Sequence, residues 1–273
     1  MKIFISADME GVSGIVHSNQ TDSTHAEYQR ARQWMLGEVN AAVEGALRGG
    51  AQSVLVNDSH GSMRNLPIDE LHPEAVLLSG SFKPYSMMAG IDGDCDAAFF
   101  TGYHARAGSS FGNLDHTYYG PNSVQDVAIN GVQVGETGLN AALAGYFGVP
   151  VALVTGDQTV CAQAKELLGD DLEVAVVKEA VGRVAAKNLH PTKAQALIRA
   201  AAERAVKKAR EPFTFKAPLT LRLALARSSQ AERCLLMPNV KLVSPRVVEF
   251  KHEDYAVLFN AFRGLLILAD VIA

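Results

Sequence analysis

The chain has 273 residues, of which 48% are hydrophobic and 20% are charged, and its formal net charge is −4. A chain of this length buries roughly 75% of its unfolded surface, so it needs no disulfides to hold a core. The apolar fraction excludes a disordered protein. The lack of a basic excess argues against nucleic acid or a membrane surface as a partner.

The three cysteines, Cys95, Cys161 and Cys234, lie far apart and form no CxxC pair. A disulfide framework or a cysteine zinc site is therefore not expected, and scattered free thiols are typical of a reducing compartment. The N-terminal segment is too short and too acidic for a signal peptide. No stretch approaches the ~20 apolar residues of a membrane span. We therefore expect a cytoplasmic protein with no membrane partner.

Strands and helices alternate through the first two thirds of the chain. Short apolar runs predict strands at 2–7, 53–57, 75–78, 97–101 and 151–155. Apolar residues at helical spacing predict helices at 25–48, 136–147, 157–168 and 192–210. This alternation is typical of an α/β fold with a mainly parallel sheet flanked by helices.

A hairpin signal interrupts the alternation at residues 124–134. Two β-rich runs there flank Asn130-Gly131, and a type I′ turn needs positive φ at both central residues. The last part of the chain mixes strands and helices, predicted at 219–226, 246–250, 228–236 and 254–271. We therefore expect a larger α/β domain over residues 1–210 and a smaller C-terminal α+β subdomain over residues 211–273.

Ionisable side chains follow four segments at the point where each strand or hairpin ends. Asp8 and Glu10 come directly after the first strand, and the i, i+2 spacing of an extended segment places both carboxylates on one side. His60 and His104 follow two further strands, and Glu136 opens the helix after the hairpin. Ligands of open α/β sheets bind beyond the carboxyl ends of the strands, so we expect these groups to share one site.

Two imidazoles with three carboxylates suit Zn²⁺, with Mn²⁺ and Co²⁺ as alternatives. One ion rarely takes so many protein ligands and stays open for catalysis, whereas two ions that share one carboxylate would use them all. A metal pair roughly 3.5–4 Å apart can hold a hydroxide and stabilise the attacking and leaving groups of a hydrolysis. The pattern favours a hydrolase, although no compact HExxH-type motif is present.

Five segments, in this order, resemble the zinc-dependent D-aminopeptidases of peptidase family M55, once called dipeptide transport proteins. The resemblance runs from residue 1 past Asp157 and more weakly to the C-terminus. The segments are Asp8-Met9-Glu10-Gly11, Asn57-Asp58-Ser59-His60-Gly61, Gly102-Tyr103-His104-Ala105-Arg106, Leu114-Asp115-His116 and Gly135-Glu136-Thr137-Gly138-Leu139-Asn140.

The resemblance implies a binuclear zinc site and a catalytic histidine. His116 matches the catalytic histidine of the family, and Asp8 would bridge the two ions. The family also implies a ring-like homo-oligomer, a decamer. The implied metal ligands are Asp8, Glu10, His60, His104 and Glu136.

These observations predict a metal-dependent aminopeptidase. It would remove the N-terminal residue, with D-Ala as the candidate, from short peptides through a hydroxide held by two zinc ions, and His116 would shuttle a proton to the leaving amine. Two alternatives stay open: another binuclear hydrolase, such as a phosphoesterase or amidohydrolase, and a non-catalytic peptide-binding component of an uptake system. A phosphoesterase should need an anion-binding cluster of basic residues. Few basic residues lie near the motifs: Arg106, Lys83 and Arg64.

Other polar residues near the motifs have weaker assignments. Asp58 is expected to orient His60 or to hold a turn. Residues that could contact substrate or shape the pocket are Tyr103, Arg106, Asn113 and Asn140.

Overall fold

The computed structural model describes residues 1–120 and 122–270. Within these residues the strands form one sheet of seven and one sheet of five. The seven-stranded sheet contains β1 (Lys2–Ala7), β2 (Ser53–Asp58), β3 (Ala75–Leu78), β4 (Ala97–Tyr103), β7 (Val151–Asp157), β8 (Glu173–Gly182) and β9 (Ala185–Asn188). The five-stranded sheet contains β5 (Val124–Ile129), β6 (Val132–Gln133), β10 (Leu219–Leu225), β11 (Lys241–Ser244) and β12 (Val247–His252).

Six α-helices are assigned in the described part of the chain, with short 3₁₀ helices at Ser18–Gln20 and Ser86–Met88. None of these described helices is both long enough and apolar enough to cross a membrane. The helices are α1 (Tyr28–Arg48), α2 (Glu136–Tyr146), α3 (Gln158–Leu168), α4 (Pro191–Val206), α5 (Ser228–Cys234) and α6 (Tyr255–Asp270).

The seven-stranded sheet has the order β3-β2-β1-β4-β7-β8-β9, and only the β8–β9 pair is antiparallel. The chain leaves β1 towards β2 on one side and later returns to β4 on the other. The strand order therefore reverses between β1 and β4, which is where such sheets open a ligand crevice. The predicted α/β fold with a mainly parallel, helix-flanked sheet is confirmed.

Successive residues of β1 face opposite sides of the sheet, and each side is covered. Ile3 and Ile5 pack with α1 and α4 on one face, while Phe4 packs with α2 on the other. All three side chains are fully buried, which stabilises the fold by roughly 1.5–3 kcal/mol for each side chain. The helices on both faces of the sheet therefore hold the ends of β1 and β4 in fixed positions.

The five-stranded sheet is antiparallel and has the order β11-β12-β10-β5-β6. Asn130 and Gly131 have φ angles of 51° and 83°, so the predicted hairpin between β5 and β6 is confirmed. Because β5 pairs with β10, this sheet combines strands from the middle and from the end of the chain. The division of the chain near residue 210 stays a prediction.

Three strands were not predicted, and α4 is shorter than predicted. The charged pair Lys178-Glu179 interrupts the apolar run of β8, although Lys178 is buried. The prediction for α4 extended to residue 210, but the helix ends at Val206. Beyond it Arg210 pairs with Asp171 over 2.8 Å and donates to the main-chain oxygens of Val151 and Leu168. Residue 271 of the last predicted helix lies outside the described residues.

Candidate metal centre

The loop after β1 crosses the end of β4 at a distance that only glycine permits. The backbone N–H of Gly11 donates to the carbonyl oxygen of Gly102 over 2.8 Å. A Cβ atom on Gly11 would lie 1.9 Å from the carbonyl oxygen of Tyr103, and one on Gly102 would lie 2.2 Å from that of Asp8. Gly102 also has a φ of +67°, which favours glycine. This close approach brings the two strand ends together.

Six side chains meet at this point, and we call them the site cluster: Asp8, Glu10, His60, His104, His116 and Glu136. In its first half, the Nδ1 atom of His60 lies 3.3 Å from Asp8 Oδ1 and 3.0 Å from Glu10 Oε2. The side chains of Asp8 and Glu10 are only 4% and 9% exposed. Both carboxylates therefore face the same imidazole and are largely shielded from solvent.

The second half of the site cluster lies on the other side of Asp8. The Nε2 atom of His104 is 3.5 Å from Asp8 Oδ2 and 3.2 Å from Glu136 Oε1. The ring of His116 stacks on that of His104 with centroids 3.9 Å apart, and its Nε2 lies 3.8 Å from Glu136 Oε1. The carboxylate of Asp8 thus presents one oxygen to each half.

Backbone carbonyls orient all three imidazoles. In each ring one nitrogen lies at hydrogen-bond distance from a main-chain oxygen, so an N–H at that nitrogen leaves the lone pair of the other nitrogen facing the carboxylates. A lone pair and a carboxylate repel each other unless a cation or a proton lies between them. The contacts are His60 Nε2 to Thr21 O at 2.9 Å, His104 Nδ1 to Ala105 O at 3.0 Å and His116 Nδ1 to Leu114 O at 2.9 Å.

The buried polar atoms of the site fit a metal ion. Asp8 Oδ2, Glu10 Oε2 and His104 Nε2 are buried and have no hydrogen-bond partner. Ligand atoms of two groups, Asp8 with Glu10 and His104, and His104 with His116 and Glu136, lie within 4.8 Å of one another. Buried polar atoms without partners are costly, so a cation at these positions would satisfy them.

The pKa values in the first half reflect crowded carboxylates. Burial, followed by the charge of Glu10, raises the pKa of Asp8 from 3.8 to about 7. Burial also acts to raise the pKa of Glu10, but the neighbouring His60 holds it well below its usual range. Burial acts to lower the pKa of His60, yet the charge of Glu10 and the close approach of both carboxylates hold it well above its usual range. Without metal, a proton on His60 balances these charges.

In the second half, too, the charge of a neighbouring group outweighs the effect of burial on each pKa, except at His116. Burial acts against the charged form of His104, but the charge of Glu136 raises the pKa of His104 to about 10. Burial acts to raise the pKa of Glu136, which the charge of His104 nevertheless lowers. Burial and the charge of His104 together lower the pKa of His116. His116 is therefore the imidazole of the cluster that stays neutral at neutral pH.

A network of hydrogen bonds holds Glu136 in position. The backbone N–H of Tyr118 donates to Glu136 Oε1 over 2.6 Å, and the Tyr118 hydroxyl donates to Asn140 Oδ1 over 2.7 Å. The amide of Asn140 donates to the Tyr103 hydroxyl over 2.8 Å, and that hydroxyl lies 2.7 Å from Ser6 Oγ. Tyr103 and Asn140 therefore support the site through this network. Tyr118 was not predicted as a site residue, although it lies only two residues after His116.

Lys178 on β8 holds the loop that carries Glu10. This role was not predicted from the sequence. Its Nζ donates to the carbonyl oxygens of Glu10 and of Ile15, the latter over 2.6 Å. Glu38 on α1 accepts the N–H of Ser13 from the same loop over 2.9 Å. Both charged side chains are only 2% exposed. Glu38 lies in a predicted helix and Lys178 in a strand that was not predicted, and a charged residue in the sequence gives no sign of such burial.

The remaining candidates support loops around the site. The carboxylate of Asp58 accepts N–H bonds from Asn65 and Leu66, at 2.6 Å and 2.8 Å, so it holds a turn. The side chain of Asn113 donates to the carbonyl oxygens of Val16 and Arg183. Arg106 does not line the cavity in front of the cluster described below but another of about 440 Å³, which His104 also lines.

A cavity of about 340 Å³ opens in front of the site cluster. Its volume falls within the range of roughly 300–1,000 Å³ that is typical of small-ligand pockets. Asp8, Glu10, His60 and Glu136 lie along its wall together with His116. A small molecule in this cavity would therefore contact the buried carboxylates and imidazoles directly.

The fold and the site cluster define a hydrolase-type metal centre at the switch point of an α/β sheet. The family model of Peptidase M55, D-aminopeptidase, matches residues 1–264. Because the match covers most of the chain, the protein belongs to the M55 D-aminopeptidase family and is a metallopeptidase.

Two relatives extend this comparison to nearly the whole chain. A D-aminopeptidase of Bacillus subtilis (strain 168) is 38% identical over 274 residues, which cover 99% of this chain and 97% of the relative. The solved structure of the Zn-dependent D-aminopeptidase DppA from Bacillus subtilis, a self-compartmentalizing protease, superposes with a TM-score of 0.96 at 37% identity. That match covers 100% of this chain and 99% of the other. The fold class, family and enzyme class predicted from the motifs are confirmed.

Proposed function

We propose that this protein hydrolyses the N-terminal residue of short peptides, with a D-residue such as D-Ala at that position, and that it uses two zinc ions. The observation that carries the proposal is the position of Asp8. Its two carboxylate oxygens face two different imidazoles, His60 and His104, whose other nitrogens lie against main-chain carbonyls. A shared carboxylate between two histidine-containing groups is suited to a pair of metal ions.

The proposed ligands divide into two sets that share Asp8. One ion would be held by Asp8 Oδ1, Glu10 Oε2 and His60 Nδ1, and the other by Asp8 Oδ2, His104 Nε2 and Glu136 Oε1. Imidazole nitrogen and carboxylate oxygen are the donors that zinc takes in catalytic sites. Each set has three protein donors and so leaves room for water or substrate.

A zinc pair held by these residues would supply an activated water and would polarise the scissile carbonyl. The peptide would lie in the cavity of about 340 Å³ in front of the cluster. His116 is neutral because burial and the charge of His104 lower its pKa. Its Nε2 atom would accept a proton from the water that attacks the carbonyl carbon and return it to the nitrogen of the leaving amine as the C–N bond breaks. The N–H of Tyr118 would hold Glu136 in place during this exchange.

The relatives support the finer parts of the proposal. The Bacillus subtilis relative is a Zn-dependent D-aminopeptidase and a self-compartmentalizing protease, which favours zinc, D-residue specificity and a closed assembly for this protein. We include in the proposal a ring-like homodecamer in the cytoplasm that encloses the active sites. Short peptides are then the substrates that could enter such an enclosure.

Chromogenic substrates test the reaction class. We expect the purified protein to release p-nitroaniline from D-alanyl p-nitroanilide faster than from the L-isomer and to leave p-nitrophenyl phosphate intact. Chelation should abolish the activity, and added Zn²⁺ should restore it, with Mn²⁺ and Co²⁺ as comparison ions. Phosphatase activity without peptidase activity would favour another binuclear hydrolase. A metal-loaded protein inert towards a broad peptide panel would favour a peptide-binding component.

A further inference from the structure

The cavity in front of the site cluster is lined by side chains of both charges. Asp8, Glu10 and Glu136 line it, and so do Phe82 and Arg263. Among the described residues that line this cavity, Arg263 is the single arginine or lysine. The cavity therefore combines a group of carboxylates with one isolated permanent cation.

Arg263 lies on α6, on a stretch of helix that is otherwise apolar. Its neighbours Phe262 and Leu266 are buried in the core, and Leu266 also lines the cavity. A charged residue on a buried helical surface is unusual unless its head group reaches solvent or a partner. The guanidinium of Arg263 reaches the cavity.

The guanidinium has an aromatic ring on one face and no ionic partner. Its central carbon lies 5.1 Å from the centroid of the Phe82 ring, a distance at which the cation is attracted to the ring face. In the described part of the chain, Arg263 makes no hydrogen bond and no ion pair, so its N–H groups are free. A ring on the face leaves the edge of the guanidinium available to a planar anion, and carboxylate is the anion that this edge binds in a bidentate way.

From this arrangement we infer that Arg263 binds the free C-terminal carboxylate of the peptide substrate. The inference rests on the proposed function. A short peptide is a zwitterion, with an amine at the end that is cleaved and a carboxylate at the other. With the scissile bond at the site cluster, the rest of a short peptide extends along the cavity towards Arg263. Arg263 therefore makes the enzyme specific for short peptides that end in a free carboxylate.

The substrates for the test differ only in the charge of the C-terminal end. D-Alanyl-glycine and D-alanyl-glycinamide have the same scissile bond and the same cleaved residue. A charge-assisted hydrogen bond contributes enough for a difference of roughly tenfold to a hundredfold. We expect the zinc-loaded wild-type enzyme to have a kcat/KM at least about tenfold higher for the acid than for the amide.

Substitution of Arg263 should remove this preference and leave the chemistry intact. In Arg263→Met the acid should lose about tenfold or more in kcat/KM, mainly through KM, while hydrolysis of the amide and zinc content stay unchanged. Arg263→Lys should restore part of the preference. Arg30→Met is the matched control, because Arg30 also lies over an aromatic ring, that of Trp34 at 5.7 Å, but does not line the cavity.

Two results would overturn the assignment while the proposed function stands: equal hydrolysis of acid and amide by the wild-type enzyme, or an equal loss on both substrates in Arg263→Met. If the wild-type enzyme hydrolyses neither peptide, the proposed function is wrong, and calorimetry then decides the role of Arg263. Tighter binding of the acid than of the amide, lost in Arg263→Met, supports the assignment. Equal binding of acid and amide contradicts it.

Discussion

His116 has a different environment from the two imidazoles next to carboxylates. Its ring stacks on His104, and the charge of His104 and burial lower its pKa, whereas the pKa values of His60 and His104 are raised. A neutral imidazole beside the cavity is suited to proton transfer. At the same time His116 lies close enough to His104 and Glu136 to be a metal ligand.

Replacement of His116 distinguishes these two roles. We expect His116→Ala to retain both metal ions and to lose roughly 10²–10⁴-fold in kcat, the range for a general acid–base residue. Elemental analysis and the rate on D-alanyl p-nitroanilide measure the two properties on one sample. The exposed His25 provides a control, since His25→Ala should keep both properties. Loss of metal in His116→Ala would instead make His116 a ligand.

Glu38 is a second residue whose ionisation has a measurable consequence. It is 2% exposed, its Oε2 atom has no hydrogen-bond partner, and burial raises its pKa from 4.5 to about 7. Between these two pH values the folded protein binds more protons at Glu38 than the unfolded chain. The contribution of Glu38 to the free energy of unfolding therefore falls as pH rises from about 4.5 to about 7.

The substitution Glu38→Gln should remove this pH dependence. The difference in unfolding free energy between the variant and the wild type should shift in favour of the variant by up to about 3 kcal/mol over this range. Urea unfolding of both zinc-loaded proteins at several pH values measures it, and the shared metal site cancels in the difference. Glu27→Gln, at an exposed position just before α1, is the control. A constant difference between variant and wild type would show that Glu38 ionises normally.

The junction between β1 and β4 requires a glycine at position 102. Gly102 has a φ of +67°, and its position for a Cβ atom is filled by the backbone of Asp8. Gly148 has a similar φ of +77° but open space around that position. The two glycines thus separate the effect of backbone conformation from the effect of close packing.

We expect Gly102→Ala to displace the loop that carries Asp8 and to lower stability, metal content and activity together. Gly148→Ala should cost only about 1–2 kcal/mol, the penalty of the left-handed conformation, and should leave metal content unchanged. Thermal unfolding and elemental analysis of both variants provide the comparison. If the two variants lose equal stability and both keep their metal, the close packing at Gly102 is not what holds the site together.

Sequence patterns predicted those elements whose signal is local. β1 and β3 are apolar runs bounded by polar residues, and the hairpin at Asn130-Gly131 is specified by its two turn residues. β8 was not predicted because it contains the charged residue Lys178, which is buried against main-chain carbonyls of residues 10 and 15 that only the fold brings near. The sequence motifs contain all six residues of the site cluster. Arg263 could not be found in this way, since only the folded chain brings α6 beside the cavity.

Exposed apolar side chains on the surface of the chain are consistent with an assembly of several copies. Phe111 and Leu236 are 65% and 76% exposed, and every residue of the edge strand β11 is exposed. Edge strands and apolar surface of this kind are commonly covered by partners. We expect light scattering to give a particle mass near ten times the 29.2 kDa of one chain. A monomeric mass at micromolar concentration would contradict the ring-like decamer.

The proposed metal centre depends on Asp8, whose carboxylate would be shared between two metal ions. The most direct measurement is anomalous diffraction at the zinc absorption edge from crystals of the zinc-loaded protein. We predict two anomalous peaks, one next to Asp8 Oδ1 and His60 and the other next to Asp8 Oδ2 and His104. Crystals of Asp8→Ala should show neither peak at full occupancy. A single peak in the wild type, or two peaks of which neither contacts Asp8, would contradict a metal pair that shares Asp8.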